Sequence, residues 1–152
     1  KTYDKLQTFV PIQDYQIDHY KNRFLKYINP GFIKCVTDEN DELVAFAITM
    51  PSFSNALKKI NGKVDLIGKL RLLHAKNFNH KGSLYLIGVR PDFQNKGVIA
   101  ILFNELQKFY NKFGITEVET NPELIENTAI QQLWKNYENN QHKNRATFTK
   151  EI

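Results

Sequence analysis

The segment Gln94–Ala100 contains the residue types best suited to binding a phosphate group. It follows an apolar run that ends at Val89 and precedes a long run of apolar residues at helical spacing, so it is expected to join a strand to a helix. Amide hydrogens in the first turn of a helix have no partner within the helix, and the helix dipole favours an anion there. Gly97 would let the backbone approach a phosphate closely, and Lys96 would add a positive charge. The spacing therefore favours an anion-binding turn, although an ordinary strand-to-helix turn would use the same residues.

Three further side chains are suited to acid–base chemistry. Glu117 and Glu119 alternate with Val118, so a strand would place both carboxylates on one face, where one of them could deprotonate an ammonium group. Tyr137 has a titratable hydroxyl. Each residue also has a structural alternative, which is solvation at a sheet surface for the glutamates and core packing for the tyrosine. We take Glu119 and Tyr137 as the candidate catalytic residues.

Several other chemical patterns are absent from the sequence. Neither the G-x-x-x-x-G-K-[ST] phosphate loop nor the G-x-G-x-x-G dinucleotide fingerprint occurs. Cys35 is the only cysteine, which excludes an internal disulfide and a Cys-rich zinc site and suggests a small core residue. His74, His80 and His142 lack metal-ligand spacing. No metal site is predicted.

Apolar periodicity assigns strands and helices to most of the chain. The polar turn from Asp38 to Asp41 separates two β-rich runs and predicts an antiparallel hairpin, and Gly114 is the expected end of the long helix. The predicted elements are a helix from Asp14 to about residue 28, strands Phe32–Thr37, Leu43–Met50, Ser83–Val89 and Ile115–Thr120, helices Val98–Phe113 and Asn127–Glu138, and possible edge strands Gln7–Ile12 and Arg145–Lys150.

The segment from residue 53 to 81 is predicted to form two short helices. Ser52 or Ser54 can cap the first, and Asp65 can cap the second, which has Leu66, Leu70 and Leu73 at i, i+4 and i+7. This segment holds seven basic residues and one acidic residue, so it carries the whole positive excess of the chain. A solvated helical face is the simplest interpretation, and nucleic-acid binding is an unfavoured alternative because lysine outnumbers arginine.

The residues from Leu84 to Val98 resemble the coenzyme-A-binding motif of the GNAT superfamily of acyl-CoA N-acyltransferases. That motif is an apolar strand ending in Val-x-Pro, followed by Gln/Arg-x-x-Gly-x-Gly/Ala and a long helix, and this chain has Val89, Pro91, Gln94 and Gly97 at the corresponding places. One strand later, Asn127-x-x-Ile130-x-x-Leu133-Trp134 is similar to the family's Asn-x-x-Ala-x-x-Leu-Tyr helix. The resemblance covers roughly residues 32–50 and 84–148.

The resemblance implies an α/β (α+β) fold, with a mixed, mostly antiparallel sheet, helices on both faces, and a helical insertion at about residues 53–81. Its third strand would splay from the fourth, and acetyl-CoA would enter as co-substrate with its pantetheine arm along Ile87, Gly88 and Val89. The pyrophosphate would lie on the turn, with Asn127 near the pantetheine or capping its own helix. The coenzyme-binding residues implied are Ile87, Gly88, Val89, Gln94, Asn95, Lys96, Gly97, Val98, Ile99, Ala100 and Asn127.

Two positions depart from the family pattern. Ile99 stands where the family has a second glycine or alanine, so its side chain is expected to crowd the pyrophosphate. Trp134 stands where many members have a tyrosine that protonates the leaving thiolate, and an indole N–H is no practical acid. The implied activity is acetyl transfer to an unidentified amine by direct attack. The alternative is a degenerate domain that binds acyl-CoA or a partner without turnover.

Length and composition fit one globular domain over residues 1–152. The 41% hydrophobic and 24% charged residues argue against disorder, and no apolar run reaches the roughly 20 residues of a membrane span. We expect a cytoplasmic bacterial protein, with a small-molecule amine or a protein amino group as its partner and no membrane partner. The first residue is Lys1, and the residues Met50–Ser54 and Gln141–Lys143 are similar to those of longer bacterial GNAT-like proteins. The chain is therefore expected to be a C-terminal domain.

Overall fold

The computed structural model describes residues 13–23, 28–148 and 150. It is a mixed α/β fold with a helical insertion between the second and third strands, as the sequence predicts. None of its helices within these ranges is long and apolar enough to cross a membrane. The elements in chain order are α1 Asp14–Arg23, β1 Ile33–Thr37, β2 Leu43–Pro51, α2 Ser54–Ile60, α3 Leu66–Asn77, β3 Lys81–Val89, α4 Val98–Phe113, β4 Glu117–Thr120 and α5 Thr128–Trp134.

The sheet has the strand order β1-β2-β3-β4. The predicted hairpin is present, because β1 pairs antiparallel with β2, and β2 in turn pairs antiparallel with β3. β2 is the central strand and is apolar on both faces, which suits a strand with neighbours on both sides. Between β2 and β3 the register shifts at Tyr85, because Ile48 is opposite Leu86 while Thr49 is opposite Leu84. Tyr85 is thus the extra residue of a β-bulge.

The core lies between the sheet and α4. Leu102 and Leu106 of this helix are almost fully buried, and the Phe32 ring packs edge-on against Phe109 with their centroids 4.9 Å apart. The buried Thr49 hydroxyl donates a 2.8 Å hydrogen bond to the Phe32 carbonyl, which fixes the start of β1 against β2. The helix spans the range predicted for it, and it ends at Gly114 as expected.

β3 and β4 are neighbours in the sheet and are joined at their first residues. The Thr116 amide donates a 2.8 Å hydrogen bond to the His80 carbonyl, and the Lys81 ammonium lies 2.5 Å from the Glu117 carboxylate. A side chain at Gly82 would contact Ile115, so the junction is tight. β2 and β3 are paired along their length, and β4 is the neighbour of β3 at the edge of the sheet. The splay between the third and fourth strands that the resemblance implies stays a prediction.

The insertion forms the two predicted helices, α2 and α3, but the leucine row of α3 faces outward. Asp65 caps α3 by accepting a 2.7 Å hydrogen bond from the Gly68 amide. Gly68 is buried, whereas Leu66, Leu70 and Leu73 are exposed. Spacing alone identified an apolar face correctly, but it did not identify the face that the rest of the molecule covers.

The described residues form two compact units that divide after Glu119. The second unit contains α5, which ends at Trp134 rather than at Glu138 as predicted. The predicted strand Arg145–Lys150 is wrong, because residues 145–148 and 150 adopt no strand; a short polar run without a paired neighbour gains too little to form one. The predicted strand Gln7–Ile12 lies outside the described residues. The interpretation of residues 1–152 as a single domain stays a prediction.

Candidate functional site

The segment between β3 and α4 is a tight turn whose conformation depends on two residues with positive φ. Pro91–Phe93 form a single turn of 3-10 helix, closed by a 2.9 Å hydrogen bond from the Phe93 amide to the Arg90 carbonyl. Asn95 has φ of 60° and Gly97 has φ of 76°. Both residue types tolerate this left-handed region, and Gly97 does so without strain. The turn therefore delivers the chain into α4 with its first amides pointing away from the helix.

The amides at the start of α4 are available to an anion. Ala100 and Ile101 donate to the Gly97 carbonyl at 3.0 and 3.3 Å. Within the part of the chain that the structure describes, the amides of Gly97, Val98 and Ile99 donate no hydrogen bond. A Cβ at Gly97 would meet nothing within 4 Å, so the space beside this residue is open. These are the features of a phosphate-binding helix start.

Ile99 does not block the turn. Its side chain packs against the cluster formed by Val44, Ala45, Val89 and Val98. The expected crowding is therefore relieved by the side-chain direction, which the sequence does not specify. Ala100, the next residue, is exposed on the helix surface.

Arg90 ties the β3 end of the turn to the β1–β2 hairpin. Its Nε donates to Asp92 at 2.9 Å, its Nη2 to Asp38 at 3.1 Å and its Nη1 to Glu42 at 3.3 Å. The hydrogen bond to Asp92, the largest influence, raises the pKa of Arg90 above its ordinary value, although burial opposes it. Three carboxylates thus surround this guanidinium, and it offers little net charge to a ligand.

Lys96 is the cation that the turn itself presents. Its ammonium lies 5.1 Å from the centre of the Phe93 ring, and it forms no ion pair with the described residues. An open depression beside the hairpin is lined by Asp38 and Glu39 among others, so its acidic wall disfavours phosphate. The charges therefore direct an anion to Lys96 and the start of α4.

β3 runs directly into this turn. Ile87, Gly88 and Val89 pair with Ala47, Phe46 and Ala45 of β2, so one edge of the strand is used by the sheet. Their other edge faces β4, the next strand of the sheet. The Gln94 side-chain amide donates a 3.4 Å hydrogen bond to the Val89 carbonyl and so links the turn to the end of the strand.

The candidate acid–base residues belong to two different compact units. In the first, the Lys81 hydrogen bond and charge lower the pKa of Glu117, while Glu119 is half-buried at the end of β4. In the second, the Trp134 indole N–H donates to both Glu123 oxygens, at 2.9 and 3.0 Å, and Trp134 packs edge-on with Tyr137.

Asn127 precedes α5 but does not cap it through its side chain. Of its two predicted roles, the capping role is therefore not observed. Among the described residues, no group of three His, Cys, Asp or Glu side chains could hold a metal ion.

These features are accompanied by a match to a known family. The model of the Acetyltransferase (GNAT) family matches residues 3–137. The chain belongs to this family. GNAT proteins use acyl-coenzyme A as the acyl donor, so the turn between β3 and α4 of this GNAT protein is a candidate coenzyme site. The match gives no support to the alternative of an inactive domain.

Solved GNAT structures share the fold at low sequence identity. The aminoglycoside 6'-N-acetyltransferase of Acinetobacter haemolyticus is 14% identical with a TM-score of 0.57, over 94% of this chain and 85% of that one. The corresponding enzyme of Acinetobacter baumannii is 12% identical with a TM-score of 0.54, over 95% and 84%. An acetyltransferase of Trypanosoma brucei is 12% identical with a TM-score of 0.51, over 92% and 82%. No curated protein matches the sequence.

Sequence reasoning missed the role of Arg90 and the bulge at Tyr85. The Arg-x-Asp spacing of Arg90 and Asp92 is visible in the sequence, but the partners Asp38 and Glu42 come from a distant hairpin. The bulge leaves no clear signal in an apolar strand, because it is defined only by the register with β2.

Proposed function

We propose that this GNAT protein transfers an acetyl group from acetyl-CoA to an amine by direct attack. The observation that carries the proposal is the open turn at the end of β3, where unpaired amides of Gly97, Val98 and Ile99 adjoin Lys96. A diphosphate matches this site, because its negative charges would accept hydrogen bonds from the amides and face the helix dipole.

The pantetheine arm is proposed to lie along Ile87–Val89. An extended amide chain can pair with a strand as another strand would, and the position of these residues at the end of β3, directly before the turn, supports this placement. Gln94 would hold the diphosphate turn against this strand through its bond to Val89. A backbone amide of β3 would then polarise the thioester carbonyl.

The reaction balances with one proton lost from the acceptor and one gained by the thiolate. The amine lone pair attacks the thioester carbonyl carbon, the C–S bond breaks, and the leaving thiolate takes up a proton. Glu119 is proposed to accept the ammonium proton and Tyr137 to protonate the thiolate. Glu119 is preferred to Glu117 because it is half-buried, whereas Glu117 is exposed to solvent. Positioning and an oxyanion donor would supply most of the rate gain.

Calorimetry with acetyl-CoA and a thiol-release assay with a panel of amines test the proposal. The panel should contain aminoglycosides, other small amines and peptides with free amino groups. We expect micromolar binding of acetyl-CoA and thiol release that rises with at least one acceptor. Binding without turnover for any amine would support the inactive-domain alternative, and no binding would remove the coenzyme site altogether.

A further inference from the structure

The outward face of α3 carries an exposed apolar row. Leu66, Leu70 and Leu73 are 75%, 59% and 55% exposed, while Gly68, on the opposite side of the helix, is buried. At 100° per residue, these leucines fall within about 60° of arc. A row of exposed apolar side chains on one helix face marks a candidate binding surface.

The spacing of the row is that of a heptad seam. The steps of four and three residues from Leu66 to Leu70 and Leu73 are those of alternating d and a positions, and Asn77 continues the same row. Ile67, which is 60% exposed, lies beside this row and widens the exposed apolar arc to about 120°. The heptad spacing of the leucines is that of a row which packs along another helix, so a helical protein partner is the occupant that the spacing favours.

The charges beside the seam specify the partner further. Lys69 and Lys76 occupy the g positions, and Ile67 and His74 occupy the e positions, so no acidic side chain flanks the leucines. In a coiled-coil pair these flanking positions decide the choice of partner, because like charges repel across the interface. A second copy of the chain would bring lysines against lysines in the antiparallel arrangement and would supply no acidic side chain in the parallel one. A partner helix with acidic side chains at its e and g positions would pair with Lys69 and Lys76 in either orientation.

Close contacts and hydrogen bonds hold α3 in place within the insertion. The α2–α3 turn is tight, because a Cβ at Gly68 would lie 2.7 Å from the Lys63 carbonyl, and Arg71 donates a 3.1 Å hydrogen bond to the Lys59 carbonyl. At the base of the insertion, the Asn79 side chain donates to the Ser52 carbonyl and accepts from the Lys81 amide. A helix held in place loses less conformational entropy on binding.

We infer that the α3 seam, consisting of Leu66, Leu70, Leu73, Lys69 and Lys76, is a docking surface for an amphipathic helix with leucine-type residues in its own seam and glutamate or aspartate beside it. This inference rests on the insertion alone. It stands whether or not the proposed acetyl transfer is correct.

The test uses labelled synthetic helices of three heptads and fluorescence anisotropy. The first peptide has Leu at a and d and Glu at e and g; the second has Lys at e and g; the third keeps Glu but replaces each Leu by Ala. We expect micromolar binding of the first peptide, with both others at least tenfold weaker. Amide chemical shifts should map the contact to α3.

Three variants of the protein distinguish specific binding through the α3 seam from non-specific binding. Leu70→Ser should weaken binding of the acidic peptide at least tenfold, whereas Leu43→Ser, at a 51% exposed leucine of β2, should leave it unchanged. The double variant Lys69→Glu/Lys76→Glu should prefer the basic peptide to the acidic one. Circular dichroism verifies that each variant is folded.

Three results would overturn the inference. Equal binding of the leucine and alanine peptides would show that the peptides bind by charge attraction alone and not through the leucine row. Binding to vesicles containing phosphatidylglycerol without peptide binding would assign the seam to a membrane. Self-association in sedimentation that Leu70→Ser abolishes would assign it to a second copy of the chain. Because these measurements use no acetyl-CoA, their failure is separate from a failure of the proposed function.

Discussion

At the scale of single residues, the candidate coenzyme site depends on one backbone conformation and one charge. Gly97 takes a left-handed conformation, which turns the first amides of α4 outward, and Lys96 stands beside them. Arg90, although close, is neutralised by Asp38, Glu42 and Asp92. The site therefore has a small positive potential that is concentrated at the start of the helix.

Gly97→Val should abolish acetyl-CoA binding in calorimetry while the protein remains folded. A β-branched residue is strained at this φ, and its side chain would occupy the space that the phosphate needs. Gly114→Val is the matched control, because Gly114 caps the other end of α4 with φ of 68° and also has open space around it. Both variants should lose about 1–3 kcal/mol of stability. If the Gly97 variant binds as well as the control, the phosphate site is elsewhere.

Lys96→Gln should weaken acetyl-CoA binding about tenfold, since a hydrogen bond to a charged group contributes about 1.5 kcal/mol or more. The binding of the variant should also depend less on salt than that of the wild type. Lys112→Gln, in the last turn of the same helix, serves as the control and should bind normally. An unchanged affinity of the Lys96 variant would show that the amides act without this lysine.

At the scale of elements, the packing of α4 on β2 holds the turn between β3 and α4 in place. Thr49 of β2 bonds to the Phe32 carbonyl, and Tyr110 of α4 has its hydroxyl buried close to Thr49. Burial raises the pKa of Tyr110, and in the part of the chain described here its hydroxyl has no satisfactory hydrogen-bond partner. The Thr49 hydroxyl thus has a good hydrogen-bond partner, whereas the Tyr110 hydroxyl lacks one.

Thr49→Val should destabilise the protein by about 1–2 kcal/mol in urea unfolding, because it removes a buried hydrogen bond from the Phe32 carbonyl. Tyr110→Phe should be neutral or stabilising, since it removes a buried hydroxyl that lacks a good partner. A large loss of stability in the Tyr110 variant would mean that its hydroxyl makes an unrecognised bond.

The link between the hairpin and the turn should also appear in the pH dependence of stability. Burial alone would raise the pKa of Asp38, but hydrogen bonds from the Glu42 and Asn40 amides and from Arg90 hold it below its ordinary value. The ionised form therefore stabilises the folded protein above about pH 4, and this contribution is lost as the pH falls through the lower folded-state value. Thermal melts should show a shallower acid dependence in Asp38→Asn than in the wild type.

At the scale of the whole molecule, burial is concentrated in the first unit. The nearly inaccessible side chains lie on β2 and α4, whereas none of the described side chains from 121 to 148 is buried. Regions with few buried apolar contacts open at low cost in free energy. The free energy of local opening is therefore expected to differ between the two units.

Hydrogen exchange should be slowest for the amides shared by β2 and β3 and clearly faster for those of α5. Acetyl-CoA should add protection at the Gly97 to Ile99 amides. Mass spectrometry of peptic fragments resolves both effects. Slow exchange in α5, comparable with that of β2, would contradict the expected difference.

Much of the fold was readable from local patterns. The polar Asp38–Asp41 turn between apolar runs predicts the hairpin, and α4 is predicted from Val98 to Gly114 because spacing, capping and propensity agree. The short polar segment Arg145–Lys150 lacks such agreement, and its predicted strand is wrong. The candidate coenzyme turn was found because its residues are contiguous.

The sequence alone determined the order of elements, the glycine turn before α4 and the family to which the chain is similar, because these depend on neighbouring residues and on backbone preferences. Tertiary structure decided three further matters: Ile99 turns into the core, Arg90 is neutralised by a distant hairpin, and the leucines of α3 face outward. Each of these depends on which surfaces meet in space. Spacing within a segment shows that a face is apolar, but only its contacts with other segments show whether that face is covered.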